Sequence, residues 1–215
     1  MPVTPFDDVP DDAYYTEAVY WAKRCGITNG VSSTCFAPDA TCTRAQSVTF
    51  LWNAAGKPEP SSLTVPFTDV SADAYYYKAL CWAVERKITN GTSGTTFSPN
   101  GIVTRAQAVT MMWRAAGSPE VAADQTFTDV PANAYYAAAV RWAAANKITT
   151  GTGGNRFSPA GPLHTRADRD AFVQSTACMI CRNRPAEREG EAAHRSTECT
   201  NNIHTNSFQE VMTNP

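Results

Sequence analysis

Two arginines stand in one recurring context, Thr43-Arg44-Ala45-Gln46 and Thr104-Arg105-Ala106-Gln107, and a third in the altered copy Thr165-Arg166-Ala167-Asp168. A threonine followed three residues later by glutamine is a capping box: the hydroxyl accepts an orphan helix amide and the glutamine reaches back. The arginine therefore falls in the first turn of a helix. There the free amides point outward and the dipole end is positive. An arginine gains nothing from that dipole, so its place asks for another role. A guanidinium beside helix-end amides makes an anion site suited to a carboxylate. The structural alternative is a pair with Asp39 or with an aspartate of a neighbouring segment. Trp21, Trp82 and Trp142 have the shape to stack on a sugar ring, but their helical spacing fits a core equally well. Gly30, Gly91 and Gly151, the first two preceded by Asn29 and Asn90, suit a positive-φ turn. Such a turn either brings backbone amides to a ligand or serves as a turn alone.

Hydrolysis needs a pair of acids, or a nucleophile with a base. Asp8, Asp69 and Asp129 recur, but singly and beside a valine in a helix-entry loop. That suits capping or pairing between repeats, which disfavours an enzyme. The histidines, at 164, 194 and 204, stand outside any repeated motif. Cys178, Cys181, His194 and Cys199 have zinc-finger spacing. Between Arg182 and Ala193, however, there is no aromatic residue and no leucine to build a core around a metal. No metal or cofactor is expected. Cys35 and Cys42 bracket a loop beside Arg44, either as a staple or as separate buried thiols.

These residues are carried by a threefold repeat, which must be sought first in any chain. Phe6-Asp7-Asp8-Val9 returns as Phe67-Thr68-Asp69-Val70 and Phe127-Thr128-Asp129-Val130. Ala-Tyr-Tyr at 13, 74 and 134, Trp-Ala at 21, 82 and 142, and Ile-Thr-x-Gly ending at 30, 91 and 151 follow in order. So do Phe36-Ala37-Pro38, Phe97-Ser98-Pro99 and Phe157-Ser158-Pro159. The repeats run 6–56, 67–117 and 127–177. Lys57 to Pro66 and Ser118 to Thr126 link them. Tyr14, Ala18, Trp21, Ala22 and Cys25 share one face of a helix that Gly26 stops. Ile27 to Asp39 has no helical period and reads as a structured loop. Val48, Leu51, Trp52 and Ala55 form the apolar face of a second helix, closed by Gly56 and Pro58. Trp52 and Trp113 read as core. A two-helix unit this small cannot bury its apolar faces alone, so three must share a core. The simplest arrangement is a bundle of the three second helices.

Charge and composition remove other classes. The chain of 215 residues has 18 Lys+Arg against 20 Asp+Glu, a net charge of −2. That argues against binding nucleic acid by bulk charge. No apolar run is long enough to span a membrane. The start, Met1-Pro2-Val3-Thr4-Pro5, lacks the basic and apolar stretches of a signal peptide, so the chain is expected to be cytosolic or a fragment of a larger protein.

The six co-ordered motifs resemble the S-layer homology domain over residues 6–168. The resemblance implies an all-α fold, mainly helical with long loops. Three repeats would form a pseudo-threefold spindle around a central three-helix bundle. It also implies a non-catalytic, monomeric anchoring module, located extracellularly in the cell wall or S-layer. The implied partner is a pyruvylated secondary polysaccharide of the Gram-positive wall, bound in clefts between repeats. Arg44, Arg105 and Arg166 would clamp the pyruvate ketal. Trp21, Trp82 and Trp142 would be sugar platforms, and Asn29, Gly30, Asn90, Gly91 and Gly151 the loop contacts. The family's helix motif usually ends in Glu where this chain has Gln46 and Gln107. A wall-acting hydrolase, or a zinc-binding interaction module in the tail, is the alternative.

The third repeat departs from the pattern. Seven residues separate Phe from the Thr of Thr-Arg in the first two repeats, but eight in the third. Asp170, Val173 and Gln174 then align with Val48, Leu51 and Trp52, which would bury polar groups at a cost. Codons available for His164 to Thr176, read one base later, can spell Thr-Arg-Ala-Gln-Ile-Val-Thr-Leu-Leu-Tyr-Arg-Ala-Leu. That restores the motif at position 164, and Met179-Ile180 then forces a stop. The expectation is a one-base insertion between Phe157 and His164, with residues from about 178 to 215 an out-of-frame, disordered tail.

Overall fold

The computed structural model describes residues 6–122 and 127–165. Five helices lie among the described residues: α1 (Thr16–Arg24), α2 (Arg44–Ala54), α3 (Tyr77–Glu85), α4 (Arg105–Ala115) and α5 (Ala137–Ala145). Among the described residues there is no strand, only isolated bridges. No helix among them is long and apolar enough to cross a membrane. The mainly helical, loop-rich class expected from the repeat is therefore the one observed. The second helix of the third repeat, and with it the third member of the expected bundle, lies outside the described residues. So do the zinc-spaced tail and the segment assigned to the shifted frame.

The capping boxes form as the sequence requires. Gln46 N donates to Thr43 Oγ1 at 3.2 Å, and Thr43 N donates to Gln46 Oε1 at 2.8 Å. Thr104 and Gln107 repeat the exchange at 3.2 and 3.1 Å. These boxes fix the starts of α2 and α4, and so place Arg44 and Arg105 at their first positions. The first helix of each repeat begins without a side-chain cap, after Tyr15, Tyr76 or Tyr136.

Packing does not follow the sequence repeat. The helix that lies against α2 is α3, from the next repeat, and α5 lies against α4 in the same way. Val48, Leu51 and Ala54 of α2 share one buried cluster with Ala79, Leu80 and Ala83 of α3. Thus α2 and α4 each bury an apolar stripe on the first helix of the next repeat, which welds adjacent repeats into one core.

Three backbone hydrogen bonds tie the repeats into a closed ring. Cys42 N donates to Leu163 O at 2.7 Å, Leu163 N to Val103 O at 3.0 Å, and Val103 N to Cys42 O at 2.9 Å. Each repeat gives one donor and one acceptor, so every group in the ring is satisfied. All three side chains are buried. Cys42 is a free thiol in this ring, with its Sγ 3.3 Å from Ser47 Oγ and its pKa pushed up to about 11, chiefly by burial. Cys35 is also free; its Sγ donates to Asp8 Oδ2 at 3.1 Å on the loop. The staple between Cys35 and Cys42 is therefore absent. One thiol sits in the ring while the other is drawn to a carboxylate.

Candidate functional site

The loop between the two helices of each repeat is built on its opening phenylalanine. Phe67 lies against Phe97 with ring centroids 5.8 Å apart, and Phe127 against Phe157 at the same distance. Gly91 passes over the first of these pairs at φ +81°. A β-carbon there would stand 2.4 Å from Thr96 O and 2.5 Å from Phe67 Cε1. Gly30 and Gly151 meet the same obstruction from Phe6 and Phe127. The amides of Gly30, Gly91 and Gly151 donate to Thr28, Thr89 and Thr149 Oγ1 at 3.1–3.3 Å. These glycines are thus needed for close packing, and their N–H groups are used within the loop. The side chains of Asn29 and Asn90 are exposed just before the turn.

The repeated aspartates hold the same loop from its other side. Asp69 Oδ1 accepts from Phe97 N at 2.8 Å and Oδ2 from Ser98 N at 2.7 Å. Asp129 grips Phe157 and Ser158 at 2.8 Å each, and Asp8 grips Phe36 and Ala37 at 2.8 and 2.6 Å. The gripped residues Ala37, Ser98 and Ser158 hold φ of 56–58°, a left-handed conformation unfavourable for anything but glycine. Charge-assisted bonds from the carboxylates offset that strain. With both oxygens of each carboxylate accepting backbone amides, these aspartates are capping groups, as their place in the sequence suggested.

The Phe97 amide bond holds the Asp69 carboxylate below its ordinary value, and the Ser98 bond adds to this. In Asp8 and Asp129 burial pushes the other way, but the backbone bonds outweigh it. A carboxylate depressed on folding contributes stability that is full above its unfolded value, near 3.8, and is lost as pH falls through the lower folded value. The expected result is that Asp69→Asn flattens the acid limb of the stability curve below pH 4. Urea midpoints measured from pH 2 to pH 7 will check it. An unchanged acid limb would contradict the clamp.

Arg44 leaves its own repeat and enters this loop of the next. Its Nε donates to Phe97 O at 2.7 Å and its Nη2 to Thr89 Oγ1 at 3.4 Å. The guanidinium carbon lies 4.9 Å from the Phe97 ring centroid. The stem runs past Gly101, where a β-carbon would meet Arg44 Cδ in ordinary contact at 3.4 Å. Arg105 does the same one repeat on, with Phe157 O at 2.9 Å, Thr149 Oγ1 at 3.4 Å, the Phe157 ring at 4.9 Å and Gly161 beneath. Arg44 is 4% exposed and Arg105 3%. Burial pushes the Arg44 guanidinium down from its ordinary value, but arginine stays charged in proteins. Among the described residues no carboxylate lies within 4.0 Å of Arg44, and its Nη1 makes no hydrogen bond. Asp69, the carboxylate that interacts with it at longer range, spends both oxygens on the backbone. A buried positive charge at a seam between repeats, with donors to spare, can accept a carboxylate.

The other candidates divide differently from expectation. Trp21, Trp82 and Trp142 are 5%, 6% and 2% exposed, members of the core rather than platforms for a sugar. Trp52 and Trp113, expected in the core, are half-buried. Their Nε1 groups donate to Pro58 O and Pro119 O at 2.8 and 2.9 Å and fasten the linkers. Trp52 also lines an open cleft of about 440 Å³ with Leu63, Tyr75, Tyr77 and Lys78. Among the described residues the exposed aromatics are tyrosines: Tyr14, Tyr75 and Tyr135, at 63%, 69% and 63%. Each stands edge-on to the next tyrosine in sequence, with centroids 5.0–5.1 Å apart. Tyr135, from the third repeat, lies within electrostatic reach of Arg44. The Ala-Tyr-Tyr motif was visible in the sequence, but its first ring gave no sign of facing outward.

In the third repeat the letters and the backbone disagree. The position equivalent to Cys42 and Val103 in the ring is Leu163. His164 then takes the seat of Thr43 and Thr104, pairing with Thr41 as they pair with Ile102 and Pro162. Thr165 takes the seat of Arg44 and Arg105. Alignment of Thr165-Arg166 with Thr104-Arg105 is therefore one residue out of register, and seven residues separate Phe157 from the cap seat in this repeat too. The side chain of Arg166 itself lies outside the described residues.

The S-layer homology domain model matches residues 5–46, 66–109 and 126–168. The chain is 36% identical over 99 residues to the Surface-layer 125 kDa protein of Lysinibacillus sphaericus, covering 46% of this chain and 8% of that protein. It is 33% identical over 118 residues to a Cell surface protein of Thermoanaerobacter kivui, covering 53% and 16%. An Endoglucanase of Bacillus sp. (strain KSM-635) is 34% identical over 101 residues, covering 47% and 10%. The chain thus spans a small part of the length of each of these relatives. The three matched stretches coincide with the three repeats whose loops the aspartates hold, and the chain belongs to the S-layer homology family.

Proposed function

We propose that this chain is a non-catalytic cell-wall anchor that binds a pyruvylated secondary wall polysaccharide at the seams between its repeats. The observation that carries the reading is Arg44: a charged guanidinium, 4% exposed, whose Nη1 has no acceptor among the described residues. A pyruvate ketal offers a carboxylate fixed to a sugar ring, which matches a planar cation held at the floor of a narrow seam. Tyr135 and Tyr75 supply the exposed aromatic surface for the sugar, in place of the buried tryptophans. The aspartates support a binding role over a hydrolytic one, because their carboxylates are spent on backbone amides. Family membership and the surface-protein relatives support a location on the cell surface. We read the partner as a wall polymer and the module as a monomer.

The test is co-sedimentation with Gram-positive sacculi, before and after the secondary polysaccharide is stripped. Three chains are compared: the parent, Arg44→Ala/Arg105→Ala and Arg44→Lys/Arg105→Lys. The lysine variant keeps charge but loses the fork. Pelleting that requires both the polysaccharide and the arginines is expected, with at least a tenfold loss of binding in the alanine variant. Equal pelleting with stripped walls, by chains that melt cooperatively, would overturn the reading.

A further inference from the structure

Both helices of the second repeat end at one open pocket. It measures about 390 Å³ and is lined by Arg86, Lys87, Asn90, Arg114, Gly117 and Ser118. Arg86 caps the C-terminus of α3, and Arg114 lies in the last turn of α4. Lys87 follows at φ 56°, a left-handed conformation. All six residues belong to one repeat. Arg114 reaches Ile88 O from within that repeat, at 3.4 Å, while Arg44 reaches Thr89 Oγ1 from the repeat before. The pocket and the Arg44 seam therefore share no residue.

The three cations are not spent on the protein. Among the described residues, the side chains of Arg86 and Lys87 make no hydrogen bond and no ion pair, and both are exposed. Glu85 interacts with Arg86 at longer range, but its Oε2 accepts from Ser61 N at 2.8 Å. Arg114 is half-buried, and only its Nη1 is used. A cation at a helix C-terminus is favoured by the dipole. Here, however, backbone amides already take up carbonyls of both helix ends. Lys87 N donates to Val84 O, Ile88 N to Ala83 O, Gly117 N to Arg114 O and Ser118 N to Trp113 O, at 2.7–3.0 Å.

The neighbouring repeats show what the fold itself needs. In the first, Cys25, Gly26 and Asn53 hold the places of Arg86, Lys87 and Arg114. Asn53 Nδ2 donates to Ile27 O at 2.8 Å, the same tether that Arg114 makes to Ile88 O. A neutral amide thus fastens the turn at a shorter distance, and glycine takes the left-handed turn without strain. In the third repeat, Asn146 holds the place of Arg86. The charges of the second repeat are therefore not what builds its turn.

We infer that this pocket binds a phosphate group. Two guanidinium forks and one ammonium come to it from the ends of two helices, and the Asn90 amide adds further donors. A carboxylate presents two coplanar oxygens, which one fork satisfies. A phosphate presents oxygens tetrahedrally and engages several cations at once. Two sources offer that chemistry at a cell surface: a phosphodiester of a polyol-phosphate wall polymer, and free inorganic phosphate.

Isothermal titration of the whole chain at low ionic strength, where screening is weak, uses both as probes: a glycerol phosphate hexamer and inorganic phosphate. One equivalent is expected. In Arg86→Gln/Lys87→Gly/Arg114→Asn, which adopts the first repeat's residues at two places, binding should weaken at least tenfold while the melt stays cooperative. Arg86→Gln alone, at an exposed site, should cost threefold or more. Arg24→Gln/Lys57→Gln/Lys147→Gln removes three helix-end cations elsewhere and should leave binding within twofold. Tighter binding of the hexamer assigns the ligand to a polymer, and tighter binding of inorganic phosphate to the free ion; either supports the pocket. No binding of either probe by the folded parent, equal losses in the two triple variants, or full competition by equimolar acetate would overturn the inference. Pelleting through Arg44 is untouched by these outcomes, so the anchor reading stands or falls separately.

Discussion

Gly91→Ala should destabilise the chain by about 3 kcal/mol or more, a loss of roughly 6–12 °C in melting temperature for a chain of this size. Two separate costs add. The residue holds φ +81°, a left-handed conformation that costs an L-residue about 1–2 kcal/mol. The new methyl would also lie 2.4 Å from Thr96 O and 2.5 Å from a Phe67 ring carbon. Neither can retreat easily. Thr96 O accepts from Thr92 N at 2.8 Å, and Phe67 is held beneath Phe97. Gly117→Ala separates the two costs. Gly117 has φ +88° but nothing within 4 Å of a β-carbon, so it should lose only the conformational part, about 1 kcal/mol. Urea denaturation of both variants checks the pair, with unchanged slopes showing that stability alone has moved. Equal losses in the two variants would mean that the Phe67 cradle is soft.

The first repeat on its own should not fold. Residues 1–62 contain α1 and α2, but the helix that covers α2 is α3. Without it, Val48, Leu51 and Ala54, which are 0%, 7% and 6% exposed in the whole chain, would face water. Arg44 would lose Phe97 O, Thr89 and Gly101 together. The expected result is a flat circular-dichroism melt for residues 1–62. A cooperative transition should appear when they are mixed with residues 63–215, because the cut falls in an exposed linker. A cooperative melt from residues 1–62 alone would show that α1 and α2 suffice for a core.

These two cases show where the sequence was readable. The capping boxes around Arg44 and Arg105 and the spacing of the apolar residues place the helices within two residues, because both signals are local. Which helix covers which is not readable from a repeat. A period near 60 residues gives the same pattern whether α2 packs on its own repeat or the next. The tryptophans illustrate a second limit. Helical spacing marks a buried stripe, so Trp21, Trp82 and Trp142 belong inside, while an exposed tyrosine beside a buried one has no periodic signature. The third repeat illustrates another. Thr165-Arg166-Ala167 looks like the helix start by its letters, but the seat is set by the number of residues back to Phe157. Backbone hydrogen bonds count residues and do not read side chains.

The ring through Cys42, Val103 and Leu163 also sets the order of events in folding. Its members are roughly 60 and 120 residues apart, so its contacts are among the most distant the described chain makes. Closing loops of that length carries an entropic cost before any reward arrives, and chains dominated by such contacts fold slowly. No two members can complete the ring without the third. During synthesis from the N-terminus, Val103 can reach Cys42 O first, but Cys42 N must wait for Leu163, so the donor of the first repeat stays open until nearly all of the described chain has emerged. In that interval the chain is vulnerable to proteases and to pairing with a second copy. Quality control of such a chain therefore acts on the arrival of the segment that carries Leu163.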